Sequence, residues 1–280
     1  MRRARRALAT EPYSKAETTD SPLSPKIRPA ANLFLLTHKC GNNYFTSVFR
    51  GDRTFVQYQT DDMRGEMPGP YISEDAALPT SFANVRCRNF TPISVERALR
   101  LADPEQTRVF LFVRHPASFF RSAVSYHQRG NEQWAVTNRY GHLEDKTLHR
   151  ALTEANTLET RLIIAMKHFG LAWGLPDRWV QCYRYLVERG IQIDVVKTEE
   201  LFSQSETSYF DDLAARLSHS GHEVSADQLM AASPGFMKEL PAHATGEFLK
   251  EPLDGYSGAA REMYDRWFLP TEEFFYGPRP

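Results

Sequence analysis

The chain has few cysteines, no excess of either charge and no long apolar run, and each shortage excludes a class of protein. Cys40, Cys87 and Cys182 are an odd number at wide spacing, which excludes a disulfide framework and a CxxC metal motif. The 34 basic and 35 acidic residues nearly cancel, so no overall field draws the chain to nucleic acid or anionic lipid. No segment stays apolar for long enough to span a membrane. We therefore expect a soluble, cytoplasmic protein without a nucleic-acid partner or a membrane span.

The composition that remains is that of a folded domain with a short tail. Hydrophobic residues make up 41% of the 280 residues, which is enough for one sizeable core. The first ten residues, MRRARRALAT, contain four arginines, and the acids and prolines that follow do not form the apolar stretch of a signal sequence. We predict a disordered tail over residues 1–31 and a single domain over residues 32–280.

Patterns of buried strands and helices alternate along this domain. Continuous apolar runs at 33–36 and 108–113 predict strands that are buried on both faces of a sheet, and a third strand is predicted at 191–196. Further strands are predicted at 54–58 and 84–90. Helices are predicted at 44–49, 95–102, 117–127, 158–169, 176–188, 209–217 and 258–268. This order is typical of an α/β fold with a central parallel sheet flanked by helices.

The turn after the first buried strand has the features of an anion site. Residues 37–43 read Thr-His-Lys-Cys-Gly-Asn-Asn and lead directly into a helix, whose start offers free backbone N–H groups and the positive end of its dipole. Gly41 lets the backbone approach a phosphate, Lys39 supplies a charge, and Asn42 and Asn43 supply amide donors. Taken alone, the same residues are equally well explained as a capped turn with a solvent-facing lysine.

This turn resembles one of a known enzyme family. The pattern GxxxxGK[ST] is missing, which disfavours an ATPase or GTPase with a Walker A loop. The turn is instead similar to the Lys-x-Gly-[Thr/Ser]-[Thr/Ser] turn of sulfotransferases, which grips the 5′-phosphosulfate of 3′-phosphoadenosine-5′-phosphosulfate (PAPS). Lys39 and Gly41 match, and Asn42 and Asn43 replace the two hydroxyl residues. The resemblance implies a P-loop NTPase-like sulfotransferase fold, with these four residues and Cys40 around the donor.

A second turn carries the other half of the resemblance. Arg114, His115 and a proline follow the strand at 108–113, and Ser122 lies eight residues after Arg114. In sulfotransferases an Arg-[Asp/Asn]-Pro turn and a serine at this spacing bind the 3′-phosphate, and a guanidinium at a strand end suits bidentate binding of a phosphate. Singly, the arginine suits a salt bridge and the serine a helix face. Two such turns in the family's order favour a divergent, bacterial-type soluble sulfotransferase, and residues 193–201 resemble its late strand and turn.

The resemblance implies transfer of a sulfuryl group from PAPS to a hydroxyl or amine, without a metal. Lys39 would stabilise the departing nucleotide, with His38 as a helper. The acceptor's proton requires a base, and no histidine lies between the two turns. Asp62 and Glu66, in an irregular loop, are the candidates, although such acids are more often simply solvated.

The acceptor itself has no recognisable motif. Residues 52–83 and 129–189 would set it, and a small metabolite, a carbohydrate and a lipid-linked sugar all remain open. His127 and His142 are candidates to line its pocket, although such histidines are more often surface or core residues. Two alternatives remain open. A nucleotide-dependent phosphotransferase could use the same scaffold, and a catalytically degenerate binding or assembly protein would account for the replaced hydroxyl residues and the missing histidine.

Overall fold

The computed structural model extends the folded chain beyond the predicted domain boundary. It describes residues 29–49, 52, 54–58, 71–72, 82–203, 206–219, 222–233 and 251–279. Residues 1–28 of the predicted tail lie outside this set. Pro29 accepts a hydrogen bond from the N–H of Asp103 at 2.9 Å, and the first strand begins at Ala30. Strand β1 therefore begins two residues before the predicted boundary at residue 32.

Among the described residues, six parallel strands form the central sheet. They are β1 (Ala30–Leu36), β2 (Phe55–Tyr58), β3 (Tyr71–Ile72), β4 (Phe82–Arg88), β5 (Thr107–Val113) and β8 (Ile193–Lys197), in the order β3-β2-β4-β1-β5-β8. A separate antiparallel pair joins β6 (Arg139–Tyr140) to β7 (Lys146–Thr147). Strand β1 lies between β4 and β5, with Phe34 opposite Arg86 and Phe110. The predicted parallel sheet is confirmed, and its first strand is central as the apolar run predicts.

Helices follow most of the strands. They are α1 (Asn42–Val48), α2 (Pro92–Leu99), α3 (Pro116–His127), α4 (Gln133–Thr137), α5 (Leu148–Glu154), α6 (Leu158–Ala165), α7 (Asp177–Val187), α8 (Thr198–Ser203), α9 (Thr207–Leu217), α10 (Ala226–Ala232), α11 (Gly258–Trp267) and α12 (Leu269–Tyr276). A π-helix, Met166–Ala172, continues α6 where the sequence predicts an ordinary helix to residue 169. The sequence does not predict α4, α5, α8, α10 or α12, each of which has at most eight residues. None of the described helices is long and apolar enough to cross a membrane.

The side chains of β1 pack on both faces of the sheet. On one face the Phe34 ring packs against Phe45 of α1, with 5.0 Å between ring centroids. On the other face Leu35 lies opposite Cys87, whose Sγ is 4.0 Å from the hydroxyl of Ser94 in α2. Helix α7 contacts β5 and β8, and α10 packs on α1 and α9. Helices therefore flank the sheet, which explains why its central strands are apolar without alternation.

The strand order places two turns side by side at the carboxyl end of the sheet. From β1 the chain runs through α1 towards β2, whereas from β5 it runs in the opposite direction, towards β8. Adjacent strands whose connections leave in opposite directions form the crevice where open α/β sheets bind ligands. Because β1 and β5 are parallel neighbours, the turn from Thr37 to Gly41 and the turn at Arg114 lie side by side at the carboxyl end of the sheet.

Candidate functional site

The turn after β1 has a backbone that few residues adopt. Gly41, the N-cap of α1, has a φ of 80°, and no side chain caps the helix. A Cβ at Gly41 would meet Phe45 at an ordinary 3.8 Å, so the positive φ, and not a lack of space, requires glycine here. Lys39 also has a positive φ, of 62°, which is uncommon for a residue with a side chain. Such a conformation persists only where its surroundings hold it.

Three side chains hold this turn in place. Arg114 donates from Nη1 to the backbone oxygen of Lys39 at 3.2 Å. Asn42 donates from Nδ2 to the backbone oxygen of Thr37 at 2.6 Å, and the indole N–H of Trp179 donates to the Thr37 hydroxyl at 2.9 Å. Arg114 and Trp179 therefore bind the turn from other elements, and Asn42 binds it from the start of α1. The amide that replaces the first hydroxyl residue of the sulfotransferase pattern is part of the turn's own hydrogen bonding.

Cys40 faces the interior. Its thiol is fully buried and accepts a hydrogen bond from the Thr37 hydroxyl at 3.2 Å, while its own N–H donates to the Thr37 carbonyl. Burial raises the pKa of the Cys40 thiol to about 12, so the thiol stays protonated. Asn43 is exposed at the start of α1. The exposed Asn43 and the half-buried Lys39 are therefore more accessible to a ligand than the Cys40 side chain.

The second turn is organised by a carboxylate from the neighbouring strand connection. Glu199, in α8, accepts from the backbone N–H of His115 at 2.9 Å through Oε1. The same oxygen lies 3.7 Å from Nε of Arg114, which is only 5% exposed. The other oxygen of Glu199 accepts from the Tyr276 hydroxyl at 2.9 Å. The sequence gives residues 193–201 only a scaffold role, but the structure brings Glu199 to the turn because β8 is the neighbour of β5.

One face of α3 lies beside the first turn. Lys39 places Nζ 2.7 Å from the centre of the Tyr126 ring. Ser118, Ser122 and Tyr126 are spaced by four residues, so they share this face of the helix. Both serines are buried, and the Ser118 hydroxyl has no hydrogen-bond partner among the described residues. The predicted pair of Arg114 and Ser122 therefore lies on the elements that flank Lys39.

The environment of Lys39 disfavours the charged form of its amine. Burial lowers the pKa of the Lys39 amine well below its ordinary value. The Glu132 carboxylate acts in the opposite direction, while the charges of Arg114 and Arg129 lower the pKa further. An anion bound beside the amine would favour its charged form, since an opposite charge at close range offsets the cost of burial.

His38, His127 and Glu132 form a cluster next to Lys39, which we call the histidine–glutamate cluster. Nε2 of His38 lies 2.9 Å from Nε2 of His127. A carboxylate oxygen of Glu132 lies 3.9 Å from Nε2 of His38 and 3.6 Å from Nδ1 of His127. Burial, followed by the charge of Lys39, lowers the pKa of His38 and brings that of His127 to about 2. Both imidazoles are therefore neutral at physiological pH.

The two histidines predicted to line an acceptor pocket lie apart, one in the histidine–glutamate cluster and the other beside His168. His127 is the fully buried last residue of α3, within the cluster. His142 is exposed and places Nε2 2.9 Å from Nδ1 of His168, a buried residue of the π-helix. The half-buried Trp134 contacts both groups, with its ring centroid 4.9 Å from that of His127 and 6.0 Å from that of His168. Asp62 and Glu66, the predicted base candidates, lie outside the described residues.

No protein-family model matches the chain, and no curated protein matches it in sequence at a significant level. A function must therefore come from the side chains that the two turns bring together. The sequence predicts Lys39, Gly41, Arg114 and Ser122 from their positions after strands. It misses Glu199 and Glu132, because a single acid outside a motif gives no signal of which distant residue it meets.

Proposed function

We propose that the chain is a sulfotransferase that uses PAPS as its sulfuryl donor, on a P-loop NTPase-like sulfotransferase fold. The observation that carries the proposal is the hydrogen bond from Arg114 to the backbone of Lys39. It joins two strand-end turns, each with one basic side chain, at the crevice between β1 and β5 where an α/β sheet binds its ligand. A nucleotide with phosphates at both ends of its ribose needs two anion sites of this kind.

In the proposed reaction these residues bind the donor and stabilise the leaving group. The acceptor oxygen or nitrogen attacks sulfur, and the bond from sulfur to the bridging phosphate oxygen breaks, with its electrons going to the departing 3′-phosphoadenosine 5′-phosphate. Lys39 balances the charge that builds on this leaving group, and Gly41 allows the 5′-phosphate to approach the backbone. Arg114 and Ser122 would hold the 3′-phosphate. The acceptor's proton passes to a carboxylate, for which Asp62 and Glu66 remain our candidates.

The aromatic side chains near Lys39 support a flat or ring-shaped acceptor. Tyr126 and Trp134 are half-buried, and the Trp134 ring lies 5.1 Å from that of Trp173. Aromatic faces of this kind bind the apolar face of a sugar or a planar metabolite while a polar edge stays near water. A carbohydrate or small metabolite is therefore the acceptor that we propose.

Calorimetric titration with 3′-phosphoadenosine 5′-phosphate, beside adenosine 5′-phosphate, tests the donor site. The two nucleotides differ only in the 3′-phosphate, and we expect the first to bind at least tenfold more tightly. Lys39→Ala should weaken its binding at least tenfold. Lys167→Ala, which removes an exposed lysine from the π-helix, should leave it unchanged. Equal affinity for the two nucleotides would contradict the proposal.

A second measurement separates the enzyme from its alternatives. The protein is incubated with PAPS carrying a labelled sulfuryl group and with panels of sugars and phenols. Transfer of label that is lost in Lys39→Ala supports a sulfotransferase. Tight binding of the nucleotide without transfer to any acceptor would indicate a degenerate binding protein, and a preference for ATP over both adenosine phosphates would indicate a phosphotransferase.

A further inference from the structure

The histidine–glutamate cluster joins three separate segments of the chain. His38 belongs to the turn after β1, His127 ends α3, and Glu132 precedes α4. Each offers one ligand atom, and these three atoms lie within 4.8 Å of one another. His38 and His127 are buried, and the Glu132 side chain is 20% exposed. A site built from three segments needs the tertiary fold, which is why no spacing in the sequence indicates it.

The ligand atoms of the cluster lie close enough together to surround one small ion. Bonds of about 2.0–2.1 Å in tetrahedral geometry place ligand atoms roughly 3.3 Å apart. Nε2 of His38 is hydrogen-bonded to Nε2 of His127 at 2.9 Å and lies 3.9 Å from the Glu132 oxygen. The same oxygen lies 3.6 Å from Nδ1 of His127, so the His127 ring presents one nitrogen to each of the other two residues. Nδ1 of His127 is buried and has no hydrogen-bond partner among the described residues.

From this geometry we propose that His38, His127 and Glu132 bind one divalent transition-metal ion, with Zn²⁺ as the best match. Two imidazoles and one carboxylate suit Zn²⁺ better than Ca²⁺ or Mg²⁺, which prefer oxygen ligands. Three protein ligands leave a fourth position for water or another small ligand. The proposal does not rest on the proposed sulfotransferase activity, although His38 and Glu132 lie beside Lys39.

Packing around the cluster supports a fixed ligand geometry. Phe169 of the π-helix stacks on both imidazoles, with centroids 5.5 Å from His38 and 5.3 Å from His127. The Trp134 ring meets His127 edge to face at 4.9 Å. Rings held in this way have little freedom to rotate, so little further conformational freedom is lost when an ion binds. π-helical turns are also frequent at functional sites.

The neighbouring pair of His142 and His168 provides a matched control. Its two nitrogens are also 2.9 Å apart and its rings also stack, at 5.1 Å between centroids. No third ligand of the described chain lies close enough to complete a group with this pair. If histidine pairs alone explained ion binding, this pair would bind as well as the cluster does.

The test uses the full chain after treatment with a chelator and removal of the chelator. Zn²⁺ is titrated in competition with a chromophoric chelator, and Co²⁺ is added separately to record its visible absorption. We expect one ion per chain, with affinity at least tenfold lower in Glu132→Gln and in His127→Gln. His142→Gln should bind as tightly as the wild type. Circular dichroism and thermal unfolding establish that each variant is folded.

Glu132→Gln carries most of the weight, because its side chain is partly exposed and its shape is kept. Weaker Zn²⁺ binding by this variant in its folded form supports the site. The proposal is overturned if the wild type binds no stoichiometric ion, if Glu132→Gln binds as tightly as the wild type, or if His142→Gln alone weakens binding. Because the readout is ion binding, failure here leaves the nucleotide titration, and hence the proposed function, unaffected.

Discussion

Arg114 donates a hydrogen bond from Nη1 to the backbone oxygen of Lys39, at 3.2 Å and across 75 residues of sequence. The bond holds Lys39 in a left-handed conformation that its side chain disfavours. The cation that we assign to one phosphate of the donor therefore also shapes the turn that would bind the other. Loss of Arg114 should affect both ends of the nucleotide together.

Arg114→Lys tests this double role, since it keeps the charge and removes the forked guanidinium. We expect affinity for 3′-phosphoadenosine 5′-phosphate to fall at least tenfold and unfolding free energy to fall by about 1–3 kcal/mol, because a buried hydrogen bond is lost. Calorimetry and urea denaturation measure the two quantities. Arg108→Lys is the control, because the Arg108 side chain is exposed and, in the part of the chain that the structure describes, bonds to backbone oxygens of residues 216 and 218. Unchanged nucleotide affinity in Arg114→Lys would rule out the proposed donor site.

Glu199 should couple the second turn to the C-terminal helix. It accepts hydrogen bonds from the His115 N–H and from the Tyr276 hydroxyl. We expect Glu199→Gln to lower the unfolding free energy by about 1–3 kcal/mol, since it removes the charged acceptor of a buried donor. Combined with Tyr276→Phe, the loss should be smaller than the sum of the two single losses, by about 0.5–3 kcal/mol. Strictly additive losses in a double-mutant cycle would show that the two residues act separately.

Glu272 should make stability depend on acid pH. Burial disfavours its charge, but the His115 imidazole 3.6 Å away and hydrogen bonds from Arg279 and Tyr264 hold its pKa well below the ordinary value. The carboxylate therefore stabilises the fold above the unfolded pKa of about 4.3, and this contribution is lost as pH falls through the lower, folded pKa. Urea denaturation over a pH series should show wild type and Glu272→Gln converging below about pH 4.3. A gap that stays constant with pH would contradict this assignment.

Gly170 should be intolerant of a methyl group. A Cβ there would collide with the ring of Phe268 and would come within 3.2 Å of Phe120, both of which are buried. We expect Gly170→Ala to lower the unfolding free energy by about 1–3 kcal/mol through overpacking. Gly141→Ala is the matched control, because a Cβ at Gly141 meets nothing within 4 Å. Thermal unfolding of the two variants measures the difference, and equal midpoints would show that the Phe268 ring can move aside.

The sequence predicts the central strands well because they are buried on both faces. The runs at 33–36 and 108–113 correspond to β1 and β5, and their apolar character is a local property. Strand β8, predicted at 191–196, lies at the edge of the sheet and is mostly half-buried. Short helices such as α4 and α10 are missed, whereas α1, also seven residues long, is predicted because it follows a buried strand and a tight turn. Their stability comes from tertiary packing more than from their own sequence.

The candidate site, like the fold, is only partly predicted by the sequence. Lys39 and Arg114 are recognisable because each directly follows a buried strand, and position after a strand is a local property. The approach of Glu199 to Arg114, and that of His127 to His38 across 89 residues, depend on which strands and helices are neighbours. No local pattern specifies that order.

The sequence by itself determined the alternation of strands and helices, the two strand-end turns and the glycine that the first turn requires, because these follow from side chains a few residues apart. The tertiary structure alone decided that the turns share one edge of the sheet, and that two histidines and a glutamate meet beside Lys39. Those arrangements depend on strand order and helix packing, which are the outcome of burying the whole apolar surface at once.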